Sequence, residues 1–546
     1  FLMNKSDLRR QVAELFIVRA SGFNLDSQRL YPNLEESNSN LKRLLEEGVG
    51  GVIVLGGTVK ELEIRCNILK KWSGKPLLLC ADIEEGVGQR FYGGTKFVPP
   101  MGIAQIYKKD QTLAISIAEK IGYFTGKEAK KIGLNWLLAP VCDINNNPNN
   151  PVINLRAWGE EPETVKSLTC AFQRGVSRSK MLTCAKHFPG HGNSEVDSHL
   201  DLPEIHNDLS KLEKFELIPF KSLINQGVNS VMIGHLLFPK IDPIFPATLS
   251  KRVVTDLLRI KFKYDGLVVS DALVMNAITN KYSSGKAAVM AFDAGIDLIM
   301  MPKDIDEAID SLADAFYSGK ISLERLNISR ERRKKQLDLV SNEDDFKKED
   351  LNNEDIKNKF LLDASKFSNF IIKSSIFVRE ESTIKAEFND INLIQIDNFD
   401  QVPNKFIPAL DFPKAVGFKN LIIHPLGISP WGKTNKNFLE IGQFSNSKIL
   451  VQLFVRGKPF IGLDYHNDHW IDALKSLEIE ERLSGIIIYG CPYLFDKIKK
   501  SIHKNIPLAY SPSQTEEAQN QILSRILQSK ITQKEIDKES SIEFTD

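Results

Sequence analysis

Residues 183–203 read TCAKHFPGHGNSEVDSHLDLP. The stretch opens as an apolar, strand-like run, ends on the polar pair Lys186 and His187, turns at Pro189 and Gly190, and then sets Asp197 two residues before His199. A rigid strand therefore feeds a polar loop. Five of the nine histidines (His187, His191, His199, His206 and His235) lie between residues 187 and 235, which points to chemistry concentrated here.

Working outward, short apolar runs recur on both sides of this one. Glu14–Val18, Gly51–Leu55, Pro76–Ala81, Trp136–Ala139, Leu182–Ala185, Ser230–Ile233, Leu267–Val269 and Leu298–Met301 make eight strand candidates separated by helix-length segments. Such alternation is the pattern of βα units on a parallel sheet, and eight units in about 300 residues favour a closed (β/α)8 TIM-type barrel over an open sheet. All C-terminal strand ends of such a barrel open on one face. Asp82, Asp143, the Lys186–His187 pair, His235 and Asp271 each stand at or just beyond one of these ends, so they are expected to converge.

A chain of 546 residues calls for a second domain. From Ser329 the composition turns to SRERRKKQLDLVSNEDDFKKEDLNNEDIKNKF, read as solvated helices leaving the barrel and a linker. Beyond it INLIQI, NLIIHPL, KILVQLFV, SGIIIYG and PLAYS alternate with helical stretches such as PYLFDKIKKSI, the pattern of a smaller α/β sandwich domain with a mostly parallel sheet. The expected division is a barrel over 1–340, a charged helical linker over 341–365, the second domain over 366–530 and a polar tail over 531–546.

The 71 basic and 70 acidic side chains leave a formal net charge of +1, so no overall field draws in nucleic acid or an anionic membrane. A small or neutral partner is expected. Six cysteines without a CxxC spacing suggest neither a disulfide framework nor structural zinc, and a reducing, cytoplasmic setting follows as the expectation. No apolar run approaches the roughly 20 residues of a membrane span. Phe at position 1 suggests that a segment is missing upstream.

Several residues then have two readings each. Asp271, in LVVSDALVM, either caps the following helix or stands at the barrel mouth as a carboxylate nucleophile. His199 is either a loop histidine or a general acid/base, since an unperturbed imidazole titrates near 6.5 and can both give and take a proton at neutral pH. Asp197 is placed to hold one of its ring nitrogens. A metal on His187, His191, His199 and Asp197 is disfavoured because Pro189 and Gly190 break any helix between the first two, and the His466/His469 pair is read as incidental. The fragment GVG in ADIEEGVGQRF is too short for a dinucleotide fingerprint, so no cofactor is called for. Asp82, Arg90, Lys186 and Arg156 form a mixed-sign set suited to sugar hydroxyls, with a structural salt bridge an equal alternative for Arg156, and Trp158 is read as packing.

KHFPGHG followed by DSH, with SDALVM after the seventh strand, resembles the glycoside hydrolase family 3 β-N-acetylglucosaminidases of the NagZ type. The resemblance runs through the whole barrel, including DIEEGVGQR, LAPVCDINNNPNNPVI and AGIDLIMMP, and more loosely through the second domain at SSIFVRE, GCPY and AYSPS. It implies Asp271 as nucleophile, His199 as acid/base with Asp197 as its dyad partner, and sugar binding by Asp82, Arg90, Arg156, Lys186 and His187. It further implies exo-cleavage of terminal β-linked N-acetylglucosamine through a covalent glycosyl-enzyme, on peptidoglycan fragments in cell-wall turnover and recycling. The glycine-containing run GHGNSEVDSH is read as a flexible loop that swings the acid/base in over bound substrate. Many members read DQEGGRVQR and RSFG where this chain has DIEEGVGQR and RAWG. A related β-glycosidase, a phosphorylase using phosphate in place of water, and an inactive sugar-binding protein are the alternatives.

Overall fold

A computed structural model describes residues 4–341, 354–379, 383–387, 390–396, 408–423, 446–456 and 469–527. The tail over 531–546, residues 342–353 of the expected linker, His466 and the HPL of NLIIHPL lie outside them. Two compact units divide the described residues, one reaching to Ser368 and the other starting at Asn369.

The first unit contains all eight expected strands: β1 (Phe16–Ala20), β2 (Gly51–Val54), β3 (Leu78–Ala81), β4 (Trp136–Leu137), β5 (Cys184–Phe188), β6 (Ser230–Ile233), β7 (Leu267–Ser270) and β8 (Ile299–Met300). Strands β8-β1-β2-β3-β4 pair in parallel, as do β5-β6-β7. Parallel bridges at Trp136–Leu182, Val141–Lys186 and Val269–Leu298 join the two groups on both sides and close the barrel. Runs such as GVIV and SVMI are buried at every position, as strands covered on both faces require. The interior is filled by side chains: the Trp136 indole N–H donates to Ser230 Oγ across β5, at 3.0 Å, and that hydroxyl donates to the Thr183 carbonyl. Several surrounding helices begin at Ser, Thr or Asp caps, for instance Thr58 Oγ1 on the Glu61 N–H and Asp304 Oδ1 on the Glu307 N–H.

Two boundaries differ from expectation in a way that matters. Strand β5 starts and ends later than the apolar run, so Lys186 and His187 are part of the strand and both are buried. The described start of the segment from Ser329 is solvated on one face only: Glu331, Lys334, Lys335 and Asp338 are exposed, while Ser329, Arg333, Gln336 and Leu337 are buried. Helix Leu323–Ser341 closes the N-terminal face of the barrel, where Arg259, Arg325, Arg332 and Ser329 surround the fully buried Asp297 carboxylate. Arg333 on the same helix donates to the Gly50 and Pro76 carbonyls. Composition shows the charges of this helix but not the buried acceptors that pair with them. Within the same unit, Phe360 and Phe367 of helix Glu354–Ser375 pack on Phe124, with centroids 5.4 and 5.6 Å away.

The second unit is a six-stranded sheet built from β9 (Phe377–Val378), β10 (Ile391–Ile396), β11 (Lys419–Ile423), β12 (Ile449–Val455), β13 (Leu483–Gly490) and β14 (Leu508–Ser511). Its order is β9-β14-β13-β12-β10-β11, with only β9 antiparallel. Alternate residues of β13 serve opposite faces: Ile486 and Ile488 join one core, Ile487 and Tyr489 the other. No helix of the described residues is long and apolar enough to cross a membrane, and all six cysteines are free thiols.

Candidate active site

The strand ends converge as expected. Lys186, 1% exposed on β5, donates to Asp82 Oδ1 at 2.8 Å just beyond β3 and to Glu84 Oε1 at 2.7 Å. Glu84 in turn accepts a bidentate pair from Arg156, Nε and Nη2 both at 2.9 Å. Two carboxylates and two cations thus form one buried network, in which Glu84 touches both cations. Burial pushes the Asp82 and Glu84 carboxyls up, but Lys186 and Arg90 around the first, and Arg156 and Lys186 around the second, hold both below the ordinary range, Glu84 well below it. Burial works against the charged Lys186 ammonium, and the same two carboxylates outweigh it and raise its pKa. Arg90 stands at the exposed edge with Nε on the Asp82 carbonyl. Trp158 packs inside against Phe172.

Asp143, fully buried just past β4, holds the end of β5. Its carboxylate lies 2.7 Å from His187 Nδ1 and accepts the backbone N–H groups of His187 and His191. The His187 ring is thereby fixed in orientation. The structure records the Lys186–His187 peptide as cis.

Asp271 follows β7, its backbone N–H on the Ile233 carbonyl of β6 and its Oδ1 accepting the Ala272 N–H at 2.8 Å. It caps no helix, since the next one begins at Asn276 with Met275 as its cap. Burial pushes its carboxyl up, but His187, His235 and His199 around it, with the Ala272 N–H, bring it down to about 2. His235 is fully buried, bonded through Nδ1 to Thr248 Oγ1 at 2.8 Å and through Nε2 to the Ala272 carbonyl at 3.0 Å, so it fastens the turn that carries Asp271.

In the loop after β5, Asp197 Oδ1 lies 2.7 Å from His199 Nδ1 and accepts the His199 backbone N–H at 2.8 Å. Asp197 is buried and the imidazole partly open. With Nδ1 engaged, Nε2 is the ring nitrogen through which a ligand can exchange a proton. Of the residues weighed for a metal, His187 is bound to Asp143, His191 Nε2 lies 3.0 Å from Ser198 Oγ, and Asp197 is bound to His199.

The residues read as catalytic or sugar-binding reach this end of the barrel, although Arg90 only through the Asp82 carbonyl; His206 is exposed and pairs only loosely with Glu204. Glu84 was missed. Its signal was a second carboxylate at i+2 from Asp82 in a buried turn, which counting charges does not separate from a loop residue.

The combination of a closed barrel, an ionised carboxylate after β7, a His–Asp pair and a mixed-sign polar ring is that of a glycoside hydrolase. The Glycosyl hydrolase family 3 N terminal domain profile matches residues 7–335, and the Bacterial Glycosyl hydrolase family 3 C-terminal domain profile matches 383–528. A β-hexosaminidase A of Pseudoalteromonas piscicida is 34% identical over 277 residues, 46% of each chain. A β-hexosaminidase of Chromobacterium violaceum is 34% identical over 278 residues, 50% of this chain and 77% of the relative. The match thus spans about half of the first relative and about three quarters of the second. The structure of a glycoside hydrolase family 3 β-N-acetylglucosaminidase from Paenibacillus sp. str. FPU-7 superposes with a TM-score of 0.74 at 26% identity, over 95% of this chain and 96% of that one. The chain belongs to glycosyl hydrolase family 3.

Proposed function

We propose that the protein is a retaining exo-β-N-acetylglucosaminidase that removes terminal β-linked N-acetylglucosamine from peptidoglycan fragments in the cytoplasm. The observation that carries this reading is the Asp197–His199 pair beside an Asp271 carboxyl held near 2. The β-hexosaminidase relatives and the free thiols support it.

In the first step an Asp271 oxygen attacks the anomeric carbon while the bond to the leaving oxygen breaks, and His199 Nε2–H delivers its proton to that oxygen. Asp197 stabilises the imidazolium beforehand and fixes which nitrogen carries the transferable proton. The neutral imidazole then takes a proton from water as the water oxygen displaces Asp271 from the anomeric carbon. Two inversions give retention. Asp82, Lys186, Arg156, Arg90 and His187 hold the sugar hydroxyls, with donors and acceptors already oriented by Glu84 and Asp143.

The test is release of nitrophenol from the β-N-acetylglucosaminide and the β-glucoside, each with and without phosphate, by wild type and Asp271→Asn. Acetamido-selective release, independent of phosphate and nearly abolished in the variant, is expected. Phosphate-dependent release would replace hydrolysis by phosphorolysis, and no release from either sugar would overturn the reading.

A further inference from the structure

His191 lies in the same loop but has no role in the chemistry above. Its ring is 1% exposed, and its Nε2 lies 3.0 Å from the hydroxyl of Ser198, the residue between Asp197 and His199. The base of His191 is rigidly fixed. Its backbone N–H donates to Asp143 at 2.7 Å, its carbonyl accepts Asn150 Nδ2 at 2.8 Å, and the following Gly192 lies so close to Ile144 that an added Cβ would stand 1.6 Å from the Ile144 carbonyl oxygen. Ser198 is 1% exposed and sits in a tight turn, with the Leu200 and Asp201 N–H groups on the Asp197 carbonyl. Burial drives His191 down to about 4, so the ring is neutral at neutral pH and carries one N–H. Its Nδ1 has no partner and is buried, and an unmatched lone pair is tolerated more readily than an unmatched N–H, which places the proton on Nε2, donated to Ser198 Oγ.

We propose that His191 is a positioning residue for the acid/base: through Ser198 it latches the Asp197–His199 turn to the end of β5 and so sets where His199 stands relative to Asp271. The inference rests on the acid/base reading of His199. The strand end and the dyad turn are otherwise separated by GNSEV, a glycine-containing run with no regular secondary structure. One buried hydrogen bond spans that gap from the rigid side. Losing it leaves the Asp197–His199 pair intact and held by the longer bond from the Asn276 N–H to the His199 carbonyl, at 3.4 Å, so that the pair can drift as a unit.

The test compares kcat/KM on two β-N-acetylglucosaminides, a dinitrophenyl glycoside whose leaving group needs no protonation and a methylumbelliferyl glycoside whose leaving group benefits from it. Ser198→Ala and His191→Leu should each lower kcat/KM on the second by about 5- to 10-fold, the size of one hydrogen bond, with a loss below about twofold on the first. The double variant should lose no more than either single one, and His191→Gln, whose amide nitrogen reaches the position of Nε2, should recover most of the activity. Equal losses on both substrates, or none in Ser198→Ala, would overturn the proposal; Ser198→Ala keeps it decidable should His191→Leu fail to fold. His199→Ala is the control. If it slows both substrates alike, the acid/base reading itself has failed, whereas a selective loss in His199→Ala without one in Ser198→Ala removes the latch alone.

Discussion

Glu84→Gln tests the organisation of the sugar site most directly, because one carboxylate there serves two cations. Glu84 Oε1 accepts from Lys186 and Arg156 and Oε2 from Arg156 Nε, all within 2.7–2.9 Å, and the side chain is 2% exposed. The amide keeps the shape but removes the charge and turns an N–H towards a cationic donor, whichever way it is flipped. The network falls from two anions and two cations to one anion and two cations. Arg156 keeps its Val152 carbonyl and one bond to the amide oxygen, and Lys186 keeps Asp82. Breaking one side of a buried ion pair costs about 3–5 kcal/mol, which for a barrel of this size lowers the melting temperature by roughly 4–7 °C. Misplacing two sugar-binding cations should lower kcat/KM about 10²-fold. The pH profile adds a signed check. Lys186 is raised above its ordinary value partly by Glu84, so its charge is secure below that value and is lost as pH rises through the folded one. Without Glu84 the Lys186 ammonium therefore gives up its proton at lower pH, which a side-chain ¹⁵N titration reads. Differential scanning calorimetry and steady-state kinetics read the other two effects; a variant with wild-type melting and wild-type kcat/KM would refute the network's role.

Two further predictions follow from other charges. Asp271, down to about 2 in the fold, should stay ionised through pH 4, and since its folded value is depressed, its stabilisation is present above the unfolded value near 3.9 and is lost as pH falls from there towards 2. A carboxyl ¹³C titration of wild type against Asp271→Asn reads this directly, and a midpoint at 4 or above contradicts it. On the opposite face, Asp297→Asn leaves Arg259, Arg325 and Arg332 around a neutral amide and should cost about 3–5 kcal/mol of stability with KM unchanged. A raised KM at unchanged stability would show that Asp297 acts on the site instead.

The barrel was legible because its strands are short apolar runs, several of whose ends carry polar residues, and local spacing suffices to see that. Asp271 was visible as a candidate for the same reason, and Asp197 and His199 by their spacing in the loop after β5, while their roles came from the resemblance of KHFPGHG, DSH and SDALVM to a family. Spacing alone left Asp271 between a cap and a nucleophile, and Arg156 between a sugar donor and a salt bridge. The fold shows that Asp271 caps no helix, because the helix after it starts five residues on, and that Arg156 is salt-bridged to Glu84.

What sequence by itself determined is periodic and local: the alternation of strands and helices, the carboxylate after a buried strand, the aspartate two residues before a histidine. What only the tertiary structure decided is the pairing of charges distant along the chain. Glu84 meets Arg156 72 residues away, Asp143 meets His187 across 44, and Arg332 joins Arg325 at the buried Asp297, so the charged helix read as solvated is buried along one face. A side chain's protonation and orientation depend on the groups packed against it in a low-dielectric interior, and closure of the barrel is what brings those groups together.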